Sequence, residues 1–318
     1  MNKLAIVVPC YNEEEVLHET TTRLLEILAD LNKEQLITSD SFILYVNDGS
    51  TDKTWSIIQE LNQANPQVYG VKLAHNSGHQ NALIAGLTTA VASADIIITI
   101  DADLQDDVQR IKDMVEKYKE GNDIVYGVRS SRKTDTLFKR LSAEGFYKMM
   151  QELGVNTVYN HADYRLMSKR AVKFLLQFNE RNLFLRGIIP LIGYKTDCVY
   201  YNRAERFAGT SKYPLKKMIS FAFDGITSFS TKPVHLLLYI GTCFIFIALC
   251  ILIWVIYSLL MRNTVSGWTS LILSIWFIGG ILLIGLGIVG EYIGKIYIEV
   301  KHRPRFNIEE ILENNDRK

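Results

Sequence analysis

The sequence predicts an α/β protein, a mostly parallel β-sheet with helices on both faces, followed by an interfacial helix and a two-helix transmembrane hairpin. Three observations carry this. Short apolar, β-branched runs alternate with stretches of helical periodicity between residues 4 and 128. Each run ends directly in polar or charged residues, which lines them up along the C-terminal rim of a parallel sheet, where such sheets bind ligands. Beyond residue 233 the chain contains two long stretches almost without charge, the composition of bilayer-crossing segments.

Leu4–Val8 is the first strand, ended by Pro9. Asn12 then reads as the N-cap of a helix, with Glu15 three residues on. Its apolar face carries Val16, Leu17, Leu24, Leu25, Ile27 and Leu28. Phe42–Val46 is the second strand, running into NDGSTD (47–52). There Asp48 follows the strand, Gly49 permits a tight turn, and Ser50 or Thr51 caps the helix bearing Trp55, Ile57, Ile58 and Leu61. The third strand, Val68–Leu73, leads into HNSGHQNALIAG, a polar turn entering an Ala-rich helix. The fourth, 96–100, runs into Asp101, Asp103, Asp106 and Asp107. The fifth, 123–128, ends at Arg129.

The segment IIITIDADLQDD (96–107) is the organising stretch. Asp101 and Asp103, with the amide oxygen of Gln105 beyond, form an all-oxygen donor set that suits Mg²⁺ or Mn²⁺ and, through it, a diphosphate. Alone, the same residues also describe a solvated acidic turn.

The net charge of +1 gives no global basic field for nucleic acid. The four cysteines have no metal-binding spacing, which fits a reduced, cytosol-facing protein. The apolar run in MNKLAIVVPCYNEEE is too short for a signal sequence.

Residues 130–148 mix Arg132, Lys133, Lys139 and Arg140 with Leu137, Phe138, Leu141 and Phe146. They describe either a solvated amphipathic helix or a segment near the membrane whose cations hold a lipid phosphate. Arg129 and Arg140 are the acceptor-phosphate candidates. Asp163, before the helical run of DYRLMSKRAV, is either an N-cap or an acceptor-side residue. Arg181 and Arg186 are either part of the same basic shell or plain surface arginines. RFAGTSKY (206–213) supplies a glycine turn with hydroxyl and cationic donors, suited to closing over a diphosphate.

The motifs VVPCYNEEE, VNDGSTD, DADLQDD, GVRSS, DYRLMSKR, RFAGTSKY and GEYIGKIYIEVKHRPRF occur in that order over nearly the whole chain. In this combination the chain resembles the family 2 glycosyltransferases of the dolichyl-phosphate mannose synthase type, and within them the bacterial polyprenyl-phosphate (bactoprenol) glucosyltransferases. The resemblance implies a GT-A, Rossmann-like catalytic domain. It implies a nucleotide pocket lined by Pro9, Tyr11, Glu13, Val46 and Asp48, and a donor diphosphate met by Asp101, Ala102 and Asp103. It places the metal on Asp101, Asp103 and Gln105, and phosphate-binding cations at Arg129, Arg206 and Lys212. It makes Asp103 and Asp163 the catalytic candidates, with Asp163 near the acceptor as a possible base. A phosphate monoester is already mostly a dianion at neutral pH, its second pKa lying near ~6, so orienting the acceptor is the better role for Asp163. The family often has Arg and Lys where this chain has His75 and His79, which leaves the HNSGHQ turn without a transferred role.

The domain division is 1–213 catalytic, 214–232 juxtamembrane amphipathic helix, 233–297 transmembrane with spans 234–261 and 268–292, and 298–318 a cytoplasmic tail. Residues 214–232 also fit a core-packing helix of the soluble domain. Cations flank the spans at Lys212, Lys216, Lys217 and Lys232 and at Lys295, Lys301, Arg303 and Arg305, while only Arg262 lies between them. The positive-inside rule puts the catalytic domain and both termini in the cytoplasm. Gly279, Gly280, Gly285, Gly287, Gly290 and Gly294 form a small-residue face, for a homo-oligomer or for packing of the two spans. The expected activity is metal-dependent, inverting transfer of one sugar from a nucleotide sugar, UDP-glucose first and UDP-N-acetylglucosamine next, to undecaprenyl phosphate at the plasma membrane. A processive polysaccharide synthase and a non-catalytic nucleotide-sugar-binding scaffold are the alternatives; the former usually carries QxxRW and more spans, neither of which is present.

Overall fold

The computed structural model describes residues 1–130, 161–181, 183–202 and 267–313, with scattered positions between 234 and 257. Its strands are β1 (Leu4–Cys10), β2 (Phe42–Asn47), β3 (Val68–Leu73), β4 (Ile96–Thr99), β5 (Ile124–Arg129), β6 (His161–Ser168), β7 (Thr196–Tyr201) and β8 (Ile308–Leu312). Its helices are α1 (Leu17–Lys33), α2 (Thr54–Ala64), α3 (His79–Ser93), α4 (Arg110–Lys119), α5 (Lys169–Leu175), α6 (Leu185–Leu191) and α7 (Trp268–Val300).

The eight strands form one sheet in the order β7-β5-β6-β4-β1-β2-β3-β8. The pairs β1–β2, β1–β4, β2–β3 and β5–β7 are parallel; β6 and β8 run antiparallel to their neighbours. All seven residues of β1 are buried, as a strand covered on both faces requires. One face packs Leu24, Leu28 and Leu31 of α1, Ile58 of α2, and Ile111 and Met114 of α4. The other packs Leu83 and Leu87 of α3, Val172 of α5 and Ile188 of α6. Residues one apart on a strand therefore serve opposite cores: Ile6 belongs to the first and Val7 to the second.

Several local expectations are corrected. Pro9 does not end β1. Odd-numbered residues there bond toward β4, as when Val7 O accepts from the Ile100 N–H. The β4 ladder stops at Thr99 opposite Val7, so the missing N–H of Pro9 faces a side where no strand remains. Asn12 does not cap α1, which starts after Val16 with no side-chain cap. Ser50 and Thr51 do not cap α2, where Asp52 Oδ1 accepts from Thr54 N at 3.0 Å. Asp163 lies inside β6, and Ser168 caps α5 by accepting from Ala171 N.

At the C-terminus, α7 contains the expected 268–292 span but continues to Val300; the stretch long and apolar enough to cross a membrane is Phe277–Val300, none of it buried. Among the described residues it is the one such helix, so the hairpin rests on 234–261, which lies mostly outside them, as does 214–232. Residues 308–312 do not form a loose tail but β8, which pairs with the β3 edge. Lys72 Nζ meets Glu309 Oε1 at 3.1 Å there, and Ala74 N donates to Asn307 O.

Candidate active site

The loops after β1 and β2 are joined by side-chain-to-backbone hydrogen bonds. Asn12 Oδ1 accepts from Thr51 N at 2.9 Å, and Asn12 N donates to Ser50 Oγ at 3.0 Å. Glu13 N donates to Thr54 Oγ1, and Lys53 N donates to Glu14 Oε2. Asn12 adopts φ 54° to do this, a left-handed conformation that Asn tolerates. Asp48 extends the tie to the next loop, accepting from Ser77 N at 2.7 Å and Gly78 N at 3.0 Å. Gly49, at φ 64°, presses so close that a Cβ would stand 2.4 Å from Asn76 N. Three loops are thus locked at one rim, and β4 delivers its acids to the same rim.

In the turn after β4 the side chains alternate. Ala102 and Leu104 are buried in the core, while Asp101 and Asp103 are partly exposed. Thr20 Oγ1 donates to Ala102 O at 2.9 Å, which ties the turn to α1. Leu104 sits at φ 56°, a conformation costing on the order of 1 kcal/mol for such a side chain and held by its burial. Asp103 Oδ1 accepts from Gln105 N at 3.2 Å.

Facing this turn are Asp163 on β6, Arg186 on α6 and His79 at the start of α3. His79 Nε2 lies 3.7 Å from Asp101 Oδ1 and 3.6 Å from Asp163 Oδ2. Arg186 Nη2 is 3.2 Å from Asp163 Oδ2, and Arg165, two residues along the same strand, donates to Asp163 Oδ1. Arg165 is 1% exposed. Burial alone would raise the Asp163 carboxyl, but Arg186, His79 and Arg165 hold it well below the usual carboxylate range. Such a carboxylate is a clamp and a poor proton acceptor. Burial lowers the His79 imidazole, yet Asp163 and Asp101 prevail and raise it to about 9. Burial, with the charges of Asp106, Asp163 and Asp103, pushes Asp101 up to about 6 against the pull of His79.

That crowding is the observation against which a cation is tested. Asp101 feels the charges of Asp106, Asp163 and Asp103 as well as the His79 cation, and the side chains of Asp103 and Gln105 beside it in the turn offer oxygen. Among the described residues no three His, Cys, Asp or Glu side chains converge into a closed metal cage. A few carboxylate and amide oxygens in an open turn fit Mg²⁺ or Mn²⁺, which take their remaining ligands from water and phosphate. Asp101, Asp103 and Gln105 are the residues that would hold it.

The remaining expected site residues divide. Pro9, Glu13 and Asp48 sit at the locked rim, and Tyr11 there is 42% exposed. Val46 is fully buried, its Cγ2 standing where a Gly86 side chain would go, and its side chain belongs to the core. Arg129 reaches the same rim with its Nη2 3.1 Å from Asp106 Oδ1, to which Tyr201 also donates at 2.5 Å. Arg186 joins the Asp163 cluster, whereas Arg181 meets Glu299 of α7. Arg140, Arg206 and Lys212 lie outside the described residues. Sequence reasoning gave no role to Tyr201 or the buried Arg165, named Asp106 only as one of the acids after the fourth strand, and left His79 without a role. The signal for His79 was present: it is the first residue of a helix that begins at the same rim as Asp101.

The description of Glycosyl transferase family 2 matches residues 5–176. The chain is 54% identical over 311 residues to "Uncharacterized glycosyltransferase YkoT" of Bacillus subtilis (strain 168), covering 98% of this chain and 92% of that one. It is 42% identical over 308 residues to "Bactoprenol glucosyl transferase" of Shigella phage SfV, covering 96% and 98%. It is 41% identical over 311 residues to "Prophage bactoprenol glucosyl transferase homolog" of Escherichia coli (strain K12), covering 97% and 99%. With the acidic turn, the locked loops and the strands β1 to β6 within the matched stretch, and relatives matching over nearly the whole chain, the chain belongs to glycosyl transferase family 2 and is a glycosyltransferase.

Proposed function

We propose that the chain transfers one hexose, glucose from UDP-glucose in the first instance, to a polyprenyl phosphate of the undecaprenyl type at the cytoplasmic face of the plasma membrane. The observation that carries this is the rim where the Asp101–Asp103 turn faces the Asp163–Arg186–His79 cluster. Relatives named bactoprenol glucosyl transferase match over nearly the full length, apolar helix included.

In this reading a phosphate oxygen of the lipid attacks the anomeric carbon, the bond from that carbon to the diphosphate breaks, and the configuration inverts. Mg²⁺ or Mn²⁺, when bound, neutralises the leaving diphosphate. Asp101, Asp103 and Gln105 are the residues whose oxygens would hold that cation. Asp163 takes no proton; it fixes Arg186 and His79, whose charges face the acceptor phosphate. Arg129, Arg140, Arg206 and Lys212 supply further positive charge to phosphate groups.

Membrane anchoring draws support from connectivity. β8 follows α7 and pairs with β3, so it lies on the same side of any membrane as the catalytic sheet. If α7 crosses a bilayer, the chain crosses it once more between 202 and 267, which favours a span at 234–261. The test is incubation of the purified protein with undecaprenyl phosphate and a panel of labelled nucleotide sugars. Label from one or two donors entering lipid, and lost on chelation, is the expected result. No labelled lipid from any donor overturns the proposal, and labelling that survives chelation removes the metal from it.

A further inference from the structure

Among the described residues of the segment between α5 and α6, 176–181 and 183–184, none is in a helix or strand, yet the segment leads straight into the helix that carries Arg186. It is held at two points by residues from the far end of the chain. Glu299 Oε1, in the last turn of α7, accepts from Arg181 N at 2.6 Å. Arg305, between α7 and β8, donates from Nη2 to Phe178 O. Both contacts act on peptide groups that no helix or strand would satisfy, so they fix the path of the main chain itself.

The surroundings make this a built junction. Arg305 is pulled down by burial and by Arg181, with Glu299 and Glu180 opposing. Two acids and two bases therefore share one place. Phe178, Leu183, Phe306 and Ile308 pack on the same core cluster. At the other end of the segment, Leu185 N donates to Gln80 Oε1 at 2.9 Å, and Gln80 adjoins His79. Arg186 then reaches Asp163.

We propose that Glu299 and Arg305 are positioning residues: by pinning residues 178–181 from the end of the long apolar helix, they set Arg186 and Asp163 at the acceptor side of the site. A bare docking surface would need only the apolar contacts of Phe306 and Ile308. This proposal rests on the lipid-phosphate reading above and assigns the placement of that site to the C-terminal segment.

The test uses the full-length protein with Glu299→Ala, Glu299→Gln and Arg305→Ala. Glu299→Ala removes a charged acceptor from a backbone N–H. We expect the KM for undecaprenyl phosphate to rise at least about tenfold, with the nucleotide-sugar KM unchanged. Glu299→Gln, which keeps a carbonyl oxygen, restores most of the loss. Arg305→Ala behaves as Glu299→Ala. Brief trypsin treatment, read by mass spectrometry, cuts after Arg181 in Glu299→Ala and spares the parent. An unchanged acceptor KM, or equal losses toward donor and acceptor that Gln does not rescue, overturns the positioning role. A parent enzyme that labels no lipid overturns the lipid reading instead; the trypsin pattern, which needs no substrate, still reports on the clamp.

Discussion

Asp163→Asn separates a clamp from a base. The Asp163 side chain keeps 17% of its surface and its partner Arg165 only 1%. With the charge removed, the Arg165 guanidinium stays buried beside a neutral amide, while its Nε and Nη1 already have no hydrogen-bond partner among the described residues. One-sided removal of a buried pair costs about 3–5 kcal/mol. Asp163 is partly open and Arg186 is one-third exposed, so the low end, about 3 kcal/mol, applies. At about 2–4 °C per kcal/mol for a domain of this size, Tm falls by about 6–12 °C. The assay is thermal unfolding of the full chain in detergent, followed by far-ultraviolet circular dichroism. Because the folded Asp163 pKa lies below its unfolded value near ~3.9, its stabilisation is complete above that value and is lost as pH falls through the folded one. The gap between parent and variant therefore persists through mildly acidic pH, and it narrows as pH rises above about 6.5, because His79, raised to about 9 largely by Asp163, gives up its share of the stabilisation. The double variant Asp163→Asn/Arg165→Met, which buries no lone charge, recovers most of the midpoint. An Asp163→Asn protein that melts with the parent yet transfers no sugar would refute the clamp and restore the proton-abstracting role.

Asp103→Asn lowers turnover by about a hundredfold or more, the scale of losing one charge-stabilising group, and weakens Mn²⁺ binding read by electron paramagnetic resonance; unchanged Mn²⁺ affinity would remove Asp103 from the metal site. Gly49→Ala combines φ 64° with a Cβ 2.4 Å from Asn76 N, so it destabilises by about 2 kcal/mol or more; an unmoved denaturation midpoint would mean that the loops after β2 and β3 are not tightly locked. The Asp123 carboxyl is lowered chiefly by its hydrogen bond to Arg170, against burial and with help from Ser168. Its stabilisation is therefore present above about pH 4 and disappears as pH falls through the folded pKa. Asp123→Asn accordingly lowers Tm at neutral pH and flattens its fall in acid; an acid limb as steep as the parent's contradicts that assignment.

The five strands that begin at residues 4, 42, 68, 96 and 124 were legible because each is a short, mostly apolar run punctuated by polar turns, with β1, β2 and β4 buried at every residue. The acidic turn was legible because Asp–Ala–Asp–Leu alternates between rim and core in a way the letters display. β6 was not, because its Asp163 and Arg165 face one another in the interior, and charges inside a strand resemble a helix start. β8 reads IEEIL and follows an apolar helix, so nothing local announces that its partner lies more than two hundred residues earlier. The misassigned caps share one cause. Asn12, Ser50 and Thr51 bond across loops 38 and 39 residues apart, and local pattern reading sends such side chains to the nearest helix.

The seating of β8 against β3 also sets an order of manufacture. A ribosome makes β1 through β7 first, and that sheet carries an unpaired edge at β3 until residues 308–312 emerge. Exposed edges recruit other strands, and nascent domains begin folding before synthesis ends. The last strand to seal the sheet can arrive only after the apolar helix has been produced. A polypeptide stalled or clipped before that helix remains open-edged and marked for aggregation or degradation, so the catalytic sheet is completed only in molecules that already contain the apolar helix.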